Sequence, residues 1–322
     1  MPETTAKIET ASRRRRPLTQ KVGAEVFVLP LPIVNVYFVQ GPAGWVLVDA
    51  GLTGTASHIR RAAAERFGGG TRPLAIVLTH GHFDHVGALE PLLNAWEVPV
   101  YAHRLELPFL TGKADYPPPD PSVGGGLMAE LSFLYPRTAL DLGGRVRALE
   151  VDGTVPGLPD WRWIHTPGHS PGHVSLFDEG DRLLIAGDAF VTTRQESAYA
   201  ALSKPQEVNG PPAYFTPDWV SARASVEALA LLEPETAATG HGRPMKGVPL
   251  REGLARLVEE WDRLAQPPRG RYVAQPAVSN EEGIVYLPPP LEDSPQPGLL
   301  GGLRRIAVRT AAAVRRISDS GV

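Results

Sequence analysis

The chain has 322 residues, a hydrophobic fraction of 43% and a formal net charge of −3 at pH 7, which is typical of a globular protein with a sizeable core. This near balance of charge gives no general attraction to nucleic acid or to anionic membranes. Cysteine is absent, so disulfides and thiolate metal ligands are excluded, and a metal could be bound only by histidine and carboxylate side chains.

The N-terminal residues 1–20 are predicted to form a flexible, polar lead. Arg13 to Arg16 precede the apolar stretch Val26 to Val39, an order that loosely imitates a secretory signal. Prolines and an asparagine interrupt that stretch and no small-residue cleavage site follows it. We therefore interpret it as two β-strands and expect a cytoplasmic protein. The alternative is a twin-arginine export signal. Ser12-Arg13-Arg14 resembles the start of such a signal, although the apolar region that should follow is not in the right place.

Residues 21–266 alternate short β-like runs with helical segments, which predicts one domain of the α/β class, a layered sandwich. The strand candidates are Val34 to Val39, Trp45 to Asp49, Leu74 to Leu78, Pro99 to Ala102, Arg162 to Thr166, His173 to Phe177, Arg182 to Ala186 and Thr236 to Thr239. The helix candidates are Gly54 to Phe67, Ala88 to Trp96, Pro217 to Leu232 and Pro249 to Ala265. For the third helix, Thr216 is the expected N-cap, Pro217 the first helical residue, and Asp218 a favourable charge for the helix dipole.

Two regions differ from this pattern. Residues 105–145 are long for a connection and contain a Pro-rich run, a Gly-rich run and a short apolar helical piece, so we predict a lid or specificity insertion. Residues 267–322 form a Pro- and Gly-rich extension that ends in the basic amphipathic segment Leu299 to Ile317. This segment is expected to cover apolar surface of its own domain or of a dimer mate. The alternative is weak contact with an anionic membrane surface or a partner helix.

The most informative motif is Thr79-His-Gly-His-Phe-Asp-His-Val-Gly87, which directly follows an apolar run. Three imidazoles and one carboxylate within six positions at the end of a strand can hold a metal ion that water still reaches. Three further glycine-rich segments each follow a strand candidate, and glycine lets the backbone turn sharply there. They are His165-Thr-Pro-Gly-His-Ser-Pro-Gly-His173, Ala186-Gly-Asp-Ala189 and Thr239-Gly-His-Gly242.

These motifs resemble those of the metallo-β-lactamase-fold hydrolase superfamily, in particular its glyoxalase II and lactonase branches. The resemblance implies a four-layer αβ/βα sandwich with a binuclear metal site at one edge. The first metal would take His80, His82 and His169. The second would take Asp84, His85 and His241, and Asp188 would bridge both together with a hydroxide. All seven residues occur in the order that this pattern requires.

The cofactors implied are two divalent ions. Zn²⁺ is the preferred choice, and Mn²⁺ or Fe²⁺ accept the same ligands. Two such ions can share one hydroxide and lower its pKa towards neutrality, so the expected chemistry is attack of that hydroxide on the carbonyl carbon of a small molecule. Asp84 and Asp188 are the candidate catalytic residues, with Asp84 able to help protonate the leaving group. The resemblance favours a small carboxylic ester, thioester or lactone as substrate.

Some residues around the ligands have several interpretations. His165 and His173 are expected to orient His169, whereas Asp49 could bond a ligand histidine or cap a loop. His58 and His103 are interpreted as surface or supporting residues. The candidate pocket residues, which could equally be core packing, are Tyr116, Tyr199, Tyr214 and Phe215, and residues 105–145 and 195–217 are expected to shape the pocket.

Two departures leave the substrate open. Val191 stands where the lactonases have a tyrosine that polarises the substrate carbonyl, and only Arg263, Arg269 and Arg271 could stand in for the glutathione-binding residues of glyoxalase II. A nuclease or phosphodiesterase of the same fold is an alternative, although no long basic patch favours nucleic acid. A mononuclear-iron sulfur dioxygenase or a redox-partnered oxidase is the other. The complete second-metal set argues against the dioxygenase, and the lack of a flavin domain argues against the oxidase.

Overall fold

The structure is a computed structural model that describes residues 17–193 and 206–291. The predictions made for most of the N-terminal lead, for Tyr199 and for the basic segment 299–317 lie outside these residues. Among the helices of the described ranges, none combines the length and the apolar character needed to cross a bilayer.

Two large sheets dominate the architecture. The first contains, side by side in chain order, β1 (Gln20–Lys21), β2 (Val26–Pro30), β3 (Asn35–Gly41), β4 (Gly44–Val48), β5 (Ile76–Val77), β6 (Val100–Ala102) and β7 (Val146–Ala148). Its strands are antiparallel from β1 to β4 and parallel from β4 to β7.

The second sheet contains β8 (Thr154–Val155), β9 (Leu158–His165), β10 (Val174–Asp178), β11 (Leu183–Gly187), β12 (Thr236–Thr239) and β13 (Met245–Lys246), again as neighbours in chain order. Only β11 and β12 pair in parallel. A separate hairpin is formed by β14 (Val278–Asn280) and β15 (Gly283–Tyr286).

The α-helices of the described residues are α1 (Ala56–Phe67), α2 (Phe83–Val86), α3 (Leu89–Trp96), α4 (Leu107–Leu110), α5 (Leu127–Glu130), α6 (Trp219–Leu231), α7 (Val248–Glu259) and α8 (Trp261–Leu264). The strands and helices predicted within residues 21–266 are present with their ends shifted by a few residues, except that the last predicted helix is divided in two. The short apolar piece expected inside residues 105–145 is also present, as α5 and the 3₁₀ turn Ser132–Leu134 that follows it.

The layers follow from the two-residue period of the strands. In β3, Val36 and Phe38 pack in one cluster with side chains of α1 and α3, whereas Tyr37 and Val39 pack in a second cluster with side chains of β10 and β11. The outer face of β11 packs in a third cluster with α6 and α7. Each sheet is therefore buried on both faces, and the predicted four-layer αβ/βα sandwich of the α/β class is confirmed.

The start of α6 corrects one prediction. The N-cap is Asp218, whose carboxylate accepts a hydrogen bond from the Ser221 amide at 3.0 Å, and the helix begins at Trp219. Thr216 lies outside the helix, where its hydroxyl bonds the Pro212 carbonyl and the His169 ring. The helix predicted from Pro249 to Ala265 is also interrupted, since α7 and α8 are separated at Glu260.

The first part of the predicted extension packs on the sandwich. Tyr272 is buried in the cluster that covers the outer face of the second sheet, and its hydroxyl donates to the Pro118 carbonyl at 2.6 Å. Asp120 accepts a hydrogen bond from the Arg271 amide. Residues 267–291 thus contact the insertion 105–145 through two hydrogen bonds, to Pro118 and Asp120.

Candidate metal centre

The predicted ligands meet at the edge of the sandwich where several strands end. The loop 79–85 follows β5, the loop 166–173 follows β9, Asp188 follows β11 and His241 follows β12. Residues that follow the carboxyl ends of neighbouring strands share one edge of a sheet, where loops are free to build a site. One strand of the first sheet and three of the second therefore contribute to one centre.

All seven predicted residues are buried, and they form three overlapping groups. Within each group, one nitrogen or oxygen atom of every member lies within 4.8 Å of the others. The groups are His80, His82 and His169; His80, His85 and Asp188; and Asp84, His85 and His241. The first and third correspond to the two ligand sets that the sequence predicts.

The Asp188 carboxylate lies between these sets. Its Oδ1 is 3.6 Å from His85 Nε2, and its Oδ2 is 2.9 Å from His241 Nε2 and 3.5 Å from His169 Nε2. Oδ2 thus lies near one histidine of each set, and Oδ1 faces His85 of the second set. This is the arrangement that a shared ligand requires.

Hydrogen bonds on the far side of the rings fix the orientation of two ligands from the first sheet. His85 Nδ1 donates to Asp49 Oδ2 at 2.8 Å. His80 Nδ1 donates to the Thr79 hydroxyl at 3.1 Å, because that hydroxyl donates in turn to Asp49 Oδ2 at 2.9 Å. We assign both rings the tautomer that is protonated at Nδ1, so that Nε2 carries no hydrogen and its lone pair faces the centre.

Hydrogen bonds to Nδ1 also orient two candidate ligands from the second sheet. His241 Nδ1 donates to the Ile33 carbonyl. His169 Nδ1 faces the Thr216 hydroxyl at 3.4 Å and donates to it, since the hydroxyl proton is already directed to Pro212. Four imidazoles therefore present a hydrogen-free Nε2 to the same small volume.

The buried polar atoms at this edge fit a bound cation. His80 Nε2, His85 Nε2 and Asp188 Oδ1 are buried without a hydrogen-bond partner, and His82 Nδ1 lies only 3.0 Å from His169 Nε2. An unsatisfied buried acceptor costs about 1–3 kcal/mol, so a cluster of them is unfavourable unless a cation accepts the lone pairs. Nitrogen and carboxylate oxygen donors of this kind suit Zn²⁺ and similar divalent ions.

The protonation states of the first ligand group and of Asp188 agree with this fit. Burial lowers the pKa of His80 and His169 well below the usual value for histidine, and neighbouring imidazoles lower it further. Burial and its neighbours lower the pKa of His82 to about 3. Burial raises the pKa of Asp188, but two adjacent histidines outweigh this and hold it well below the usual range. Neutral imidazoles and an ionised carboxylate are the forms that bind a cation. For His85 and His241, burial lowers the pKa, but Asp188 and neighbouring carboxylates outweigh this and raise it.

The supporting residues behave differently from one another. Asp49 bonds both His85 and Thr79, so the interpretation as a ligand-orienting carboxylate is confirmed. His173 is buried, but it accepts a hydrogen bond from the Asp188 amide at 2.9 Å and does not contact His169 through a hydrogen bond. His165 is exposed, stacks on His103 with 4.1 Å between ring centroids, and bonds the Pro171 carbonyl. His173 does pack edge-on against the His169 ring, with 6.2 Å between centroids, so the prediction that these histidines orient His169 is wrong for His165 and holds for His173 only as packing.

A cavity of about 130 Å³ opens on this centre. Asp84, His169, Asp188 and His241 are among its lining residues. The remaining walls are mainly apolar and aromatic, and among the described residues that line the cavity there is no lysine or arginine. These wall residues are Ile33, Phe83, Met128, Tyr135, Pro212, Tyr214 and Phe215.

Of the predicted pocket residues, Tyr214 and Phe215 line this cavity, whereas Tyr116 lies behind His82 with 4.7 Å between ring centroids. The insertion 105–145 contributes Met128 and Tyr135 to the wall. Val191, at the position of the lactonase tyrosine, is buried and its amide donates to Asn209. Sequence reasoning missed the roles of Phe83, Met128 and Tyr135 in the cavity wall, and of Thr79, Thr216 and Glu106 as supporting residues. Thr79 and Phe83 lie within the 79–87 motif, but that motif indicates only which residues could bind a metal.

The fold and the site together define a class, the metal-dependent hydrolases built on an αβ/βα sandwich. Residues 29–241 match the family model of the metallo-beta-lactamase superfamily. The chain is 51% identical over 232 residues to the probable metallo-hydrolase YflN of Bacillus subtilis, covering 71% of this chain and 88% of that protein. This chain belongs to the metallo-β-lactamase superfamily and is a metallo-hydrolase.

Two other relatives are informative. A beta-lactamase domain protein from Burkholderia ambifaria has a similar solved structure, with a TM-score of 0.54 and 23% identity, covering 76% of this chain and 73% of that one; this likeness shows the fold alone. The acyl-coenzyme A thioesterase MBLAC2 of Gallus gallus is 31% identical over 170 residues, covering 48% of this chain and 56% of that protein.

Proposed function

We propose that this metallo-hydrolase cleaves a small carboxylic ester, thioester or lactone whose acyl group is apolar. The cavity carries this proposal, because it combines candidate ligands with walls of aromatic and aliphatic side chains. An apolar cavity of roughly 150 Å³ is large enough for benzene, so about 130 Å³ suits an acyl group of about six carbons. The thioesterase relative supports a thioester among the three bond types.

The metal set proposed for this reaction is a pair of divalent ions. His80, His82 and His169 would hold one, Asp84, His85 and His241 the other, and Asp188 would be shared. When bound, such a pair supplies a water nucleophile of lowered pKa and a Lewis acid that polarises the scissile carbonyl. Zn²⁺ is the first choice for these ligands, with Mn²⁺ and Fe²⁺ as alternatives.

The protein's own residues orient and dehydrate the substrate. The aromatic wall beside Phe215 excludes bulk water from the acyl group, which strengthens every polar interaction in the cavity. Asp188 keeps its negative charge at the shared position. Asp84 lines the cavity and can carry a proton to the leaving oxygen or sulfur atom as the acyl bond breaks.

The alternative phosphodiester substrate has less support. A phosphate needs positive side chains around it, and the described walls of the cavity offer none beyond the ligand histidines. The sulfur dioxygenase alternative requires a single iron, and the third ligand group would then serve no purpose.

A substrate panel on metal-analysed protein tests the proposal. It compares lactones, thioesters and aryl esters with bis-nitrophenyl phosphate. We expect turnover of at least one carbonyl class, with kcat/KM rising from acetyl to butyryl or benzoyl and falling for succinyl, because the cavity wall gives no partner to a carboxylate. Faster cleavage of the phosphodiester than of every carbonyl compound would contradict the proposal.

A charge placed in the cavity wall tests the acyl pocket itself. Met128→Lys introduces a cation beside the acyl group, which should raise the preference for succinyl over butyryl esters by about tenfold, equivalent to about 1.4 kcal/mol. Leu127→Lys is the matched control, since Leu127 is 53% exposed and does not line the cavity. Equal preferences in the two variants would show that the acyl group binds elsewhere.

A further inference from the structure

Glu106 is a fully buried carboxylate that belongs to none of the candidate ligand groups. It ends the short 3₁₀ turn Arg104–Glu106, which follows β6 in the first sheet. A buried charge is costly unless it is fully hydrogen-bonded. The partners that satisfy this one therefore reveal what the residue does.

Each carboxylate oxygen of Glu106 accepts two hydrogen bonds. Oε2 accepts from the Gly81 amide at 2.9 Å and from the Tyr116 hydroxyl. Oε1 accepts from the Ser170 hydroxyl at 2.7 Å and from the Gly172 amide at 2.8 Å. Four donors are the full complement for an ionised carboxylate, so this group is satisfied without a cation.

The positions of these donors are informative. Gly81 lies between His80 and His82, and Ser170 directly follows His169. These three histidines form one ligand group, but they come from loops of different sheets. One carboxylate oxygen is thus bonded to each loop, and the Glu106 side chain sets the distance between them.

The two glycines allow this close approach. A Cβ atom at Gly172 would lie 2.8 Å from Glu106 Cγ, and one at Gly81 would collide with the Tyr116 hydroxyl. Tyr116 in turn packs edge-on against the His82 ring, and Phe215 stacks on that ring with 4.7 Å between centroids. The carboxylate, the tyrosine and the three-histidine group therefore form one continuous packed unit.

We propose that Glu106 is a positioning residue that fixes the spacing of the His80, His82 and His169 ligands, and so sets the affinity of that group for its metal ion. It touches neither substrate nor metal. The third ligand group, Asp84, His85 and His241, is not bonded to Glu106 and is expected to be unaffected. This inference rests on the metal site proposed above and is independent of the substrate.

The test is Zn²⁺ binding to the full chain, measured in competition with a chromogenic chelator, together with the melting temperature of the metal-free protein. Glu106→Gln replaces one carboxylate oxygen by an NH₂ group. This group cannot accept hydrogen bonds from the two donors that face it, so the loop that carries those donors is no longer bonded to residue 106. Supporting residues around metal ligands typically contribute about ten- to a hundredfold in affinity. We expect a loss of that size for one of two Zn²⁺ ions, with the other unchanged.

Asp120→Asn is the matched control. Asp120 is also a buried carboxylate, with donors from Ser122 and Arg271, but neither segment carries a ligand. This variant should lower the melting temperature and leave both Zn²⁺ affinities unchanged. Equal losses of Zn²⁺ affinity in Asp120→Asn and Glu106→Gln would reduce the effect to general destabilisation and overturn the proposal.

Milder variants keep the proposal testable if Glu106→Gln does not fold. Tyr116→Phe and Ser170→Ala each remove one of the four donors, one from each carboxylate oxygen of Glu106. Each should weaken the same Zn²⁺ ion by a few-fold. Wild-type affinity for both ions in both variants would overturn the proposal, whereas a wild-type protein that binds no Zn²⁺ would instead refute the metal site.

Discussion

Replacing His80 and His82 together by alanine is expected to remove metal and activity at once. The change removes two of the three metal-binding nitrogens of the first ligand group. His80 Nε2 makes no hydrogen bond that the substitution would also break. Loss of an ion that stabilises the transition state by several kcal/mol corresponds to about a thousandfold or more in kcat/KM. The measurement is metal content and turnover on the same purified sample.

The control for this double variant is His58→Ala. His58 lies on α1 and contacts Arg61, away from the ligand groups, so metal content and turnover should stay at the wild-type level. Circular dichroism checks that the double variant folds. Turnover retained at the wild-type rate by the folded double variant would reject the metal mechanism.

Replacing Asp188 by asparagine is expected to lower the occupancy of the metal pair from two ions towards one. The substitution removes a negative charge and replaces one of the two oxygens that face His85 and His241. The amide still fills the space, so the loop after β11 should keep its shape, and the amide of residue 188 can still donate to His173. Activity should fall by about two to three orders of magnitude, equivalent to about 3–4 kcal/mol.

Asp152→Asn is the control for the lost charge. Asp152 is exposed and bonds only Thr154 among the described contacts, so metal content should not change. The decisive comparison is the number of ions per chain after dialysis against the same buffer. Full occupancy in Asp188→Asn would mean that this carboxylate is not the shared ligand.

The candidate ligands could be selected from the sequence because they lie in local motifs whose order resembles that of a known superfamily. Each ligand lies in a short glycine-rich segment after a strand, and His80, His82, Asp84 and His85 fall within one motif. The strands themselves follow from short runs of apolar residues. The fold class could therefore be derived before any distance was known.

The supporting contacts could not be predicted in this way, because they join distant parts of the chain. Asn35 donates to the Thr239 carbonyl across 204 positions, and Glu106 accepts from Ser170 across 64. Neither residue carries a sequence signal of its own. The N-cap of α6 failed for a different reason, since Thr216 and Asp218 are both good caps and only the three-dimensional surroundings of Thr216 decide between them.

The cavity wall was also beyond the sequence. Met128 and Tyr135 come from an insertion whose length predicted a role in specificity but not which side chains would face the centre. Aromatic residues are as common in ordinary cores as in pockets. Only the structure, which places the insertion next to the candidate ligands, shows that these side chains line a pocket and are not ordinary core residues.

Elemental analysis of the purified full chain tests the account most directly. After supplementation with Zn²⁺, Mn²⁺ or Fe²⁺ and removal of free metal, we expect about two divalent ions per polypeptide, and hydrolytic activity that disappears with a chelator and returns when metal is added back. A content below one ion per polypeptide that no supplementation restores would contradict it.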